Sequence, residues 1–175
     1  MMRADCRFRI ARDDEAGVVA DHVNACYSGP DAALGWTPET GILPGPRTNR
    51  AAVAANLADP AARIVLCDTD VGLSGCVLIQ RQDQAAYLGM FAVLPRMQGG
   101  GIGRLLIAEA ERLALALWRV DRMELTVISL QTALLGWYAR QGYRATGARK
   151  PFPHDEEPGA FRFDFDQVQM AKSLR

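Results

Sequence analysis

The segment at positions 87–118 constrains the fold of this chain most strongly. An apolar run at 87–94 is followed by a proline, by the glycine-rich turn QGGGIGR at 98–104, and by a helical pattern at 105–118. Glycines let a backbone approach a ligand closely, and the first turn of a helix leaves several amide groups without an internal partner. Those amides and the positive end of the helix dipole together favour an anion. The segment therefore predicts a strand, a phosphate-binding turn and a helix in direct succession.

The composition is that of a globular protein. The 175 residues are 49% hydrophobic and 23% charged, and Lys plus Arg equals Asp plus Glu at 20 each. This length is enough for one domain with a proper core, which we expect to span residues 1–175. Because the net charge is zero, no overall field favours a nucleic-acid partner or a membrane surface. No apolar run approaches the roughly 18 residues of a membrane span.

The cysteines indicate a reducing compartment. Cys6, Cys26, Cys67 and Cys76 show neither a CxxC pair nor another metal-type spacing, so no metal site is expected. The first twelve residues are charged rather than apolar, which argues against a signal peptide. A cytoplasmic protein is the simplest expectation.

Apolar periodicity predicts seven strands and four helices. The strands are expected at 6–10, 63–68, 72–80, 86–93, 122–128, 143–148 and 161–170. The helices are expected from 13 or 14 to about 28, at 48–57, from the glycine turn to 118, and at 132–141. The apolar stripe of the third helix is expected to comprise Ile102, Leu105, Leu106, Ala110, Leu113 and Leu117. The segments 29–47 and 150–159 have no regular pattern.

Two common nucleotide motifs do not fit the glycine turn. A Walker A loop requires G-x-x-x-x-G-K-[ST], and the chain contains no Gly-Lys pair. A dinucleotide fingerprint requires G-x-G-x-x-G, and from Gly99 and Gly101 the third glycine would fall at Arg104. The spacing that does fit is Q-x-x-G-x-G, formed by Gln98, Gly101 and Gly103.

The chain resembles the GNAT superfamily of N-acetyltransferases. The acetyl-CoA signature of that family consists of a strand, a V-x-P sequence and a turn of this spacing, and here they follow one another with V-x-P at 93–95. The Y-x-x-x-G-[FY] pattern at 138–143 also matches the family, whereas its frequent Asn seven residues earlier is Gln131 here. Asn24-x-x-Tyr27, the G-W-T-x-E segment at 35–39 and the K-P-F-P loop at 150–153 resemble a bacterial subgroup. The resemblance implies one α/β domain with a central mixed, mostly antiparallel sheet of six to seven strands, flanked by about four helices.

The resemblance also implies acetyl-CoA (coenzyme A) as the cofactor. Backbone amides of the turn would hold its pyrophosphate, namely those of Gln98, Gly99, Gly100, Gly101, Ile102, Gly103 and Arg104. The end of the preceding strand would pair with the pantetheine arm and the acetyl oxygen, through Phe91, Ala92 and Val93. The alternative for the turn is a strand-to-helix connection without a ligand.

Tyr138 is the candidate acid that would protonate the leaving thiolate. Its reference pKa near 10 lies above that of a thiol, about 8.5, so the hydroxyl would mainly stabilise the developing charge on sulfur. The alternative is a helix tyrosine that packs with Leu134 and Leu135 on the same face.

The base and the acceptor pocket fall on loops. Glu39 and His154 are candidate bases, since the resemblance places their loops over the acceptor. Trp36 and Phe152 would line the same pocket. Each of the two candidate bases could instead be an ordinary loop residue, and a chain of water molecules could take the proton.

Three other groups have structural explanations. The alternation of the strand at 122–128 places Glu124 on the face opposite Met123, and His22 lies within a helical apolar stripe. No histidine partner is evident for Cys26 or Cys76, so a covalent acyl intermediate is not expected.

The expected function is transfer of an acetyl group from acetyl-CoA to a primary amine by direct attack in a ternary complex. The acceptor would be a small molecule, an amino acid or a peptide, and a homodimer is expected from the resemblance. One alternative is a non-catalytic acyl-CoA-binding sensor or assembly module. Another is an acetyltransferase that acts on a protein N-terminus or a charged tRNA, although the balanced charge disfavours nucleic acid.

Overall fold

In the part of the chain that the structure describes, the fold consists of a seven-stranded sheet and four α-helices. The computed structural model describes residues 5–36, 41–43, 45–152 and 164–175. The strands are β1 (Arg7–Ile10), β2 (Ala62–Thr69), β3 (Gly72–Gln82), β4 (Ala85–Val93), β5 (Arg122–Ile128), β6 (Arg144–Pro151) and β7 (Asp166–Ser173). The helices are α1 (Ala16–Ser28), α2 (Arg50–Ala58), α3 (Ile102–Trp118) and α4 (Thr132–Arg140).

The sheet is mixed and mostly antiparallel, as expected. Its strand order is β1-β2-β3-β4-β5-β7-β6, and all neighbours are antiparallel except β4 and β5. The parallel pair requires a crossover, which α3 provides between these two strands. The predicted bounds of β5 are confirmed, whereas β6 continues three residues beyond its predicted end at 148. The fold class predicted from the sequence is confirmed.

Two apolar clusters cover the two faces of the sheet. Along β2, Ile64 belongs to the cluster that packs against α1 and α2, and the next residue, Val65, belongs to the cluster under α3. This alternation follows from the two-residue period of a strand. Both faces of the central strands are therefore buried, which explains the continuous apolar runs in the sequence.

The buried stripe of α3 differs from the predicted one. Leu105 and Leu117 are 38% and 46% exposed, whereas Ile107 and Ala114 are buried. The observed core face follows 102, 106, 110 and 114, with residue 107 beside it. The prediction was right for Ile102, Leu106 and Ala110. It was wrong for Leu105 and Leu117, because leucines occur all around this helix and only packing against the sheet selects among them.

β4 and β5 separate after a short paired stretch. They pair at only three positions, from Ala85 opposite Arg122 to Tyr87 opposite Glu124. On its other edge, β4 carries an extra residue relative to β3, and Met90 adopts φ 47°. Such a bulge bends a strand and increases its local twist. The ends of β4 and β5 therefore diverge and leave a wedge between them.

Within the described residues, no helix is both long enough and apolar enough to cross a bilayer.

Candidate functional site

The glycine turn joins β4 to α3 through backbone conformations that suit glycine. Gly99 and Gly101 have φ values of 82° and 91°, and Gly101 is the N-cap of α3. A side chain in this left-handed region costs about 1–2 kcal/mol. Gly103, the second residue of α3, is required for a different reason. A Cβ there would lie 3.3 Å from the Phe91 ring and 3.4 Å from the Trp137 ring.

The turn presents a run of amide groups. The Gln98 amide donates to the Pro95 carbonyl at 3.3 Å, and the next backbone bond runs from the Leu105 amide to the Gly101 carbonyl at 3.1 Å. Within the described part of the chain, the amides of residues 99–104 donate to no protein acceptor. Six consecutive donors at the N-terminus of a 17-residue helix form a site for an anion.

The Gln98 side chain ties the turn to the loop after α1. Its Nε2 donates to the Val93 carbonyl at 3.1 Å, and its Oε1 accepts from the Trp36 amide at 2.7 Å. Since its own amide is also engaged, Gln98 fixes the position of the turn and does not add a free donor. This role was not visible in the sequence, because the partners of its side chain lie in separate segments.

A cavity of about 430 Å³ opens beside the turn. We call it the donor cavity. Its lining includes the end of β4 at 91–93, Gly99, Gly101, Gly103 and Arg104, and it reaches Tyr138 of α4. The structure thus brings together most of the residues that the sequence assigned to the cofactor. Gly100 and Ile102 are not among the lining residues, and Ile102 is 2% exposed, so only its amide is available.

Aromatic rings form the wall of the donor cavity between β4 and α4. The Phe91 and Trp137 rings stack with centroids 5.8 Å apart, and Trp137 meets Tyr138 edge-on at 5.1 Å. Tyr138 is 4% exposed, and burial raises the pKa of its hydroxyl above the usual tyrosine value. The hydroxyl is therefore protonated at neutral pH, as any tyrosine is, and is a weaker acid than an exposed tyrosine.

The end of α4 is fixed firmly. Gly142, at φ 95°, ends the helix, and the Tyr143 amide donates to the Tyr138 carbonyl at 3.1 Å. The Tyr143 hydroxyl donates to Glu111 at 2.9 Å, and Lys172 donates to the same carboxylate at 2.7 Å. Gly142 therefore lies one position after the C-cap Gln141 and two after Arg140, where a helix-ending glycine in the left-handed region is expected.

Tyr27 is a site residue whose role the sequence did not reveal. Its hydroxyl donates to the Phe91 carbonyl at 2.6 Å and so holds the end of β4. One helical turn earlier, Asn24 accepts from the amides of Arg47 and Thr48 at 2.8 and 3.1 Å. The Asn-x-x-Tyr pattern at the end of α1 therefore fixes both β4 and the segment before α2.

A second cavity of about 240 Å³ lies in the wedge between β4 and β5. It shares four lining residues with the donor cavity, namely Tyr27, Phe91, Leu134 and Tyr138. We call it the wedge cavity. Its other walls include Leu43, Arg47, Phe152 and Gln167, together with Tyr87 and Thr126, whose hydroxyls lie 3.0 Å apart. The two cavities therefore meet at Tyr138.

The residues predicted for the acceptor pocket do not lie together. Trp36 lines the donor cavity, whereas Phe152 lines the wedge cavity and packs on Phe165 with ring centroids 4.8 Å apart. Glu39 and His154 lie outside the described residues, as does Thr37. The candidate base is therefore not located.

The buried histidine has a sulfur neighbour. His22 Nε2 lies 3.7 Å from Cys26 Sγ, one helical turn away, which corrects the inference that no histidine accompanies this cysteine. Burial lowers the pKa of His22 and raises that of Cys26 to about 12. Cys26 is thus a neutral thiol, which is a poor nucleophile. Glu124 lines neither cavity and bonds to Gln169 at 2.9 Å.

Comparisons with known proteins agree with this geometry. The model of the acetyltransferase (GNAT) family matches residues 31–143. A chimeric spermidine N-acetyltransferase from Vibrio cholerae and hSSAT has a similar structure, with a TM-score of 0.71 and 15% identity over 98% of this chain and 96% of that one. A nourseothricin acetyltransferase has a TM-score of 0.69 and 19% identity, over 97% of this chain and 99% of that one. The ribosomal-protein-S18-alanine N-acetyltransferase from Escherichia coli has a TM-score of 0.66 and 17% identity, over 97% of this chain and 94% of that one. No curated protein sequence matches the chain.

Proposed function

This chain belongs to the acetyltransferase (GNAT) family, and from that premise we propose that it moves an acetyl group from acetyl-CoA to a primary amine. The observation that carries the proposal is the run of amides at 99–104, which opens on a cavity that also contains the end of β4 and Tyr138. An anion site, an unpaired strand edge and a buried proton donor are thus collected in one place.

The residues present fit coenzyme A. The amides at 99–104 would hold its pyrophosphate, and the cation of Arg104 lies at the same cavity. Acetyl-CoA supplies the activated acetyl thioester when it is bound. The backbone at 91–93 has no pairing with β5, so it can bind an extended ligand arm in the manner of an added strand.

The chain would polarise the carbonyl and stabilise the thiolate with fixed groups. The end of β4 cannot shift easily, because Tyr27 holds the Phe91 carbonyl and Gln98 holds the Val93 carbonyl. Backbone amides at 91–93 that are fixed in this way would act as preorganised donors to the charge that develops on the acetyl oxygen. The Tyr138 hydroxyl, which burial makes a weaker acid by raising its pKa, would mainly stabilise the charge on the departing sulfur by a hydrogen bond.

The amine would enter through the wedge cavity and attack directly. No covalent step is needed, since Cys26 is a neutral thiol and the two cavities meet at Tyr138. Glu39 and His154 remain our candidates for the base, with a water chain as the alternative. The four cysteines are free, which fits the proposed cytoplasmic location, and a homodimer stays part of the proposal.

The first experiment measures binding and turnover together. We expect acetyl-CoA and CoA to raise the melting temperature, and we expect thiol release with at least one member of a panel of amines, amino acids and peptides. A rise in melting temperature without thiol release across the panel would favour the sensor alternative. Release only with protein N-termini or charged tRNA would favour a macromolecular acceptor. Absence of any thermal shift would contradict the cofactor assignment.

A further inference from the structure

We infer that the hydroxyl groups of Tyr87 and Thr126 form the subsite that holds the attacking nitrogen of the acceptor, and that they select a primary over a secondary amine. The inference rests on the proposed function, because it assumes that the wedge cavity receives the amine.

The hydroxyl pair lies at the narrow end of the wedge. Tyr87 is the last residue of β4 that pairs with β5, opposite Glu124, and Thr126 lies two residues farther along β5. The Tyr87 hydroxyl and Thr126 Oγ1 are 3.0 Å apart, and both residues line the wedge cavity. A hydrogen bond between side chains therefore bridges the two strands at the point where their backbone pairing ends.

Gly89 makes room for the Tyr87 ring. Residues 87 and 89 of a strand project to the same face of the sheet. A Cβ built on Gly89 would lie 2.9 Å from Cε1 of Tyr87, a contact that real side chains do not make. The ring therefore lies along β4 over a residue without a side chain, and Gly89 itself lines the wedge cavity. This arrangement keeps the ring low in the cavity and its hydroxyl beside Thr126.

The pair has the hydrogen-bonding capacity that a primary amine needs. One hydroxyl donates to the other, which leaves three lone pairs on the two oxygens. A neutral primary amine has two N–H groups, and its own lone pair must be free to attack the acetyl carbon. Each N–H that leaves water without a new acceptor costs free energy. Two neighbouring oxygens can accept from both N–H groups of one nitrogen, whereas a secondary amine has a carbon in place of one of them.

The reacting groups lie next to this pair. Tyr138 and Phe91 belong to the wall that the wedge cavity shares with the donor cavity. Burial, and after it the nearby Tyr87 hydroxyl, raise the pKa of Tyr138, so the two phenols interact. A nitrogen held by Tyr87 and Thr126 would lie on the acceptor side of Tyr138, with its lone pair directed at a thioester in the donor cavity.

The test compares acceptors that differ by one N-methyl group. Each primary amine and amino acid of the panel is paired with its N-methyl derivative, as glycine is with sarcosine, and both are assayed for thiol release with acetyl-CoA and the full chain. For the preferred acceptor, we expect kcat/KM to exceed that of its N-methyl derivative about tenfold or more, because one hydrogen bond is lost.

Variants separate the hydroxyl pair from simple steric exclusion of the methyl group. Tyr87→Phe and Thr126→Val each remove one oxygen and keep the shape of the side chain. Each should lower kcat/KM for the primary amine roughly 5- to 100-fold, the range for one unpaired buried donor. The N-methyl derivative should stay within about threefold, since one hydroxyl is enough for its single N–H. Thr126→Ser keeps the oxygen and should restore the preference, and the acetyl-CoA Kd should not change in any of the three variants.

Thr69→Val is the matched control. Thr69 is also a half-buried strand threonine, and its hydroxyl lies 2.7 Å from that of Ser74, but neither residue lines the donor cavity or the wedge cavity. Its replacement removes a hydroxyl–hydroxyl hydrogen bond of the same kind, so it should lower the melting temperature about as much as Thr126→Val. It should leave kcat/KM for both members of the amine pair unchanged.

Three results would overturn the inference. The first is equal or better use of the N-methyl derivatives by the unmodified chain, which needs no variant and so does not depend on whether Tyr87→Phe folds. The second is a preference for the primary amine that both Tyr87→Phe and Thr126→Val leave intact, which would indicate steric exclusion. The third is an equal loss for the two amines in these variants, or the same loss in Thr69→Val, which would indicate a structural role. Failure of the proposed function is distinguishable, because then the unmodified chain releases thiol with neither member of any pair.

Discussion

Replacement of Gly101 by alanine tests whether the backbone of the turn creates the anion site. Gly101 has φ 91° and ψ −3°, and a Cβ built there meets nothing within 4 Å. The cost of Gly101→Ala is therefore backbone strain and not collision, about 1–2 kcal/mol for a residue with a side chain in the left-handed region. If the turn keeps its shape, the strain lowers stability, by roughly 2–8 °C in melting temperature for a chain of this size. If the turn relaxes, the amides move and acetyl-CoA binding weakens by about 5- to 30-fold.

Gly100→Ala is the matched control for this experiment. Gly100 has no positive φ, and its Cβ would meet only the Met97 carbonyl at 3.5 Å, an ordinary contact. We expect this variant to keep the melting temperature within about 2 °C and the acetyl-CoA Kd within about threefold. Calorimetric titration measures the acetyl-CoA Kd, and a thermal melt measures the melting temperature. If Gly101→Ala matched Gly100→Ala in both measurements, the conformation of the turn would not be what forms the site.

Three further predictions concern protons and charge. Tyr138→Phe should lower kcat at least tenfold with an acetyl-CoA Kd within about twofold, since only the hydroxyl is lost; steady-state kinetics and titration check this, and unchanged kcat would remove the acid role. If Glu39 or His154 is the base, its replacement by Gln should abolish the acidic limb of the pH profile of kcat/KM. Unaltered pH profiles in both Glu39→Gln and His154→Gln would favour a water chain. Glu15→Gln should cost about 1.5–3 kcal/mol at pH 7, because Arg9 donates to that carboxylate at 2.8 and 2.9 Å and lowers its pKa. The stabilisation by the Glu15 carboxylate is complete above the ordinary glutamate pKa and is lost as the pH falls through the lowered pKa of the folded state. The difference in free energy of unfolding between Glu15→Gln and the parent, measured by denaturant unfolding, should therefore shrink below about pH 4.5.

Local patterns explain why so much of the fold was predictable. The strand β5 alternates strictly between buried and partly exposed residues from Met123 to Val127, and its predicted bounds are confirmed. The helix α3 was predicted in existence and extent, but its apolar residues surround the axis, so sequence could not decide whether Leu105 or Ile107 faces the sheet. Apolar periodicity identifies the buried face of an element when apolar residues are concentrated on one face. When they surround the element, only packing decides which face is buried.

The donor and acceptor halves of the site differ in how far apart their residues lie in the chain. The donor half is nearly continuous from β4 to the first turn of α3, because one strand-turn-helix unit supplies the strand edge and the amides, so its glycine spacing can be recognised in sequence. The proposed acceptor half, the wedge cavity, is assembled from the end of α1, Leu43, Arg47, the strands β4 and β5, Phe152 and Gln167. Its key contacts join distant positions, such as Tyr27 and Phe91 across 64 residues. No spacing rule links such positions, and Arg47 lies in a segment without periodicity, yet Asn24 holds its backbone in place. The donor motif can therefore be recognised locally in the sequence, whereas the walls of the wedge cavity form only when β4 and β5 separate and the end of α1 packs beside them.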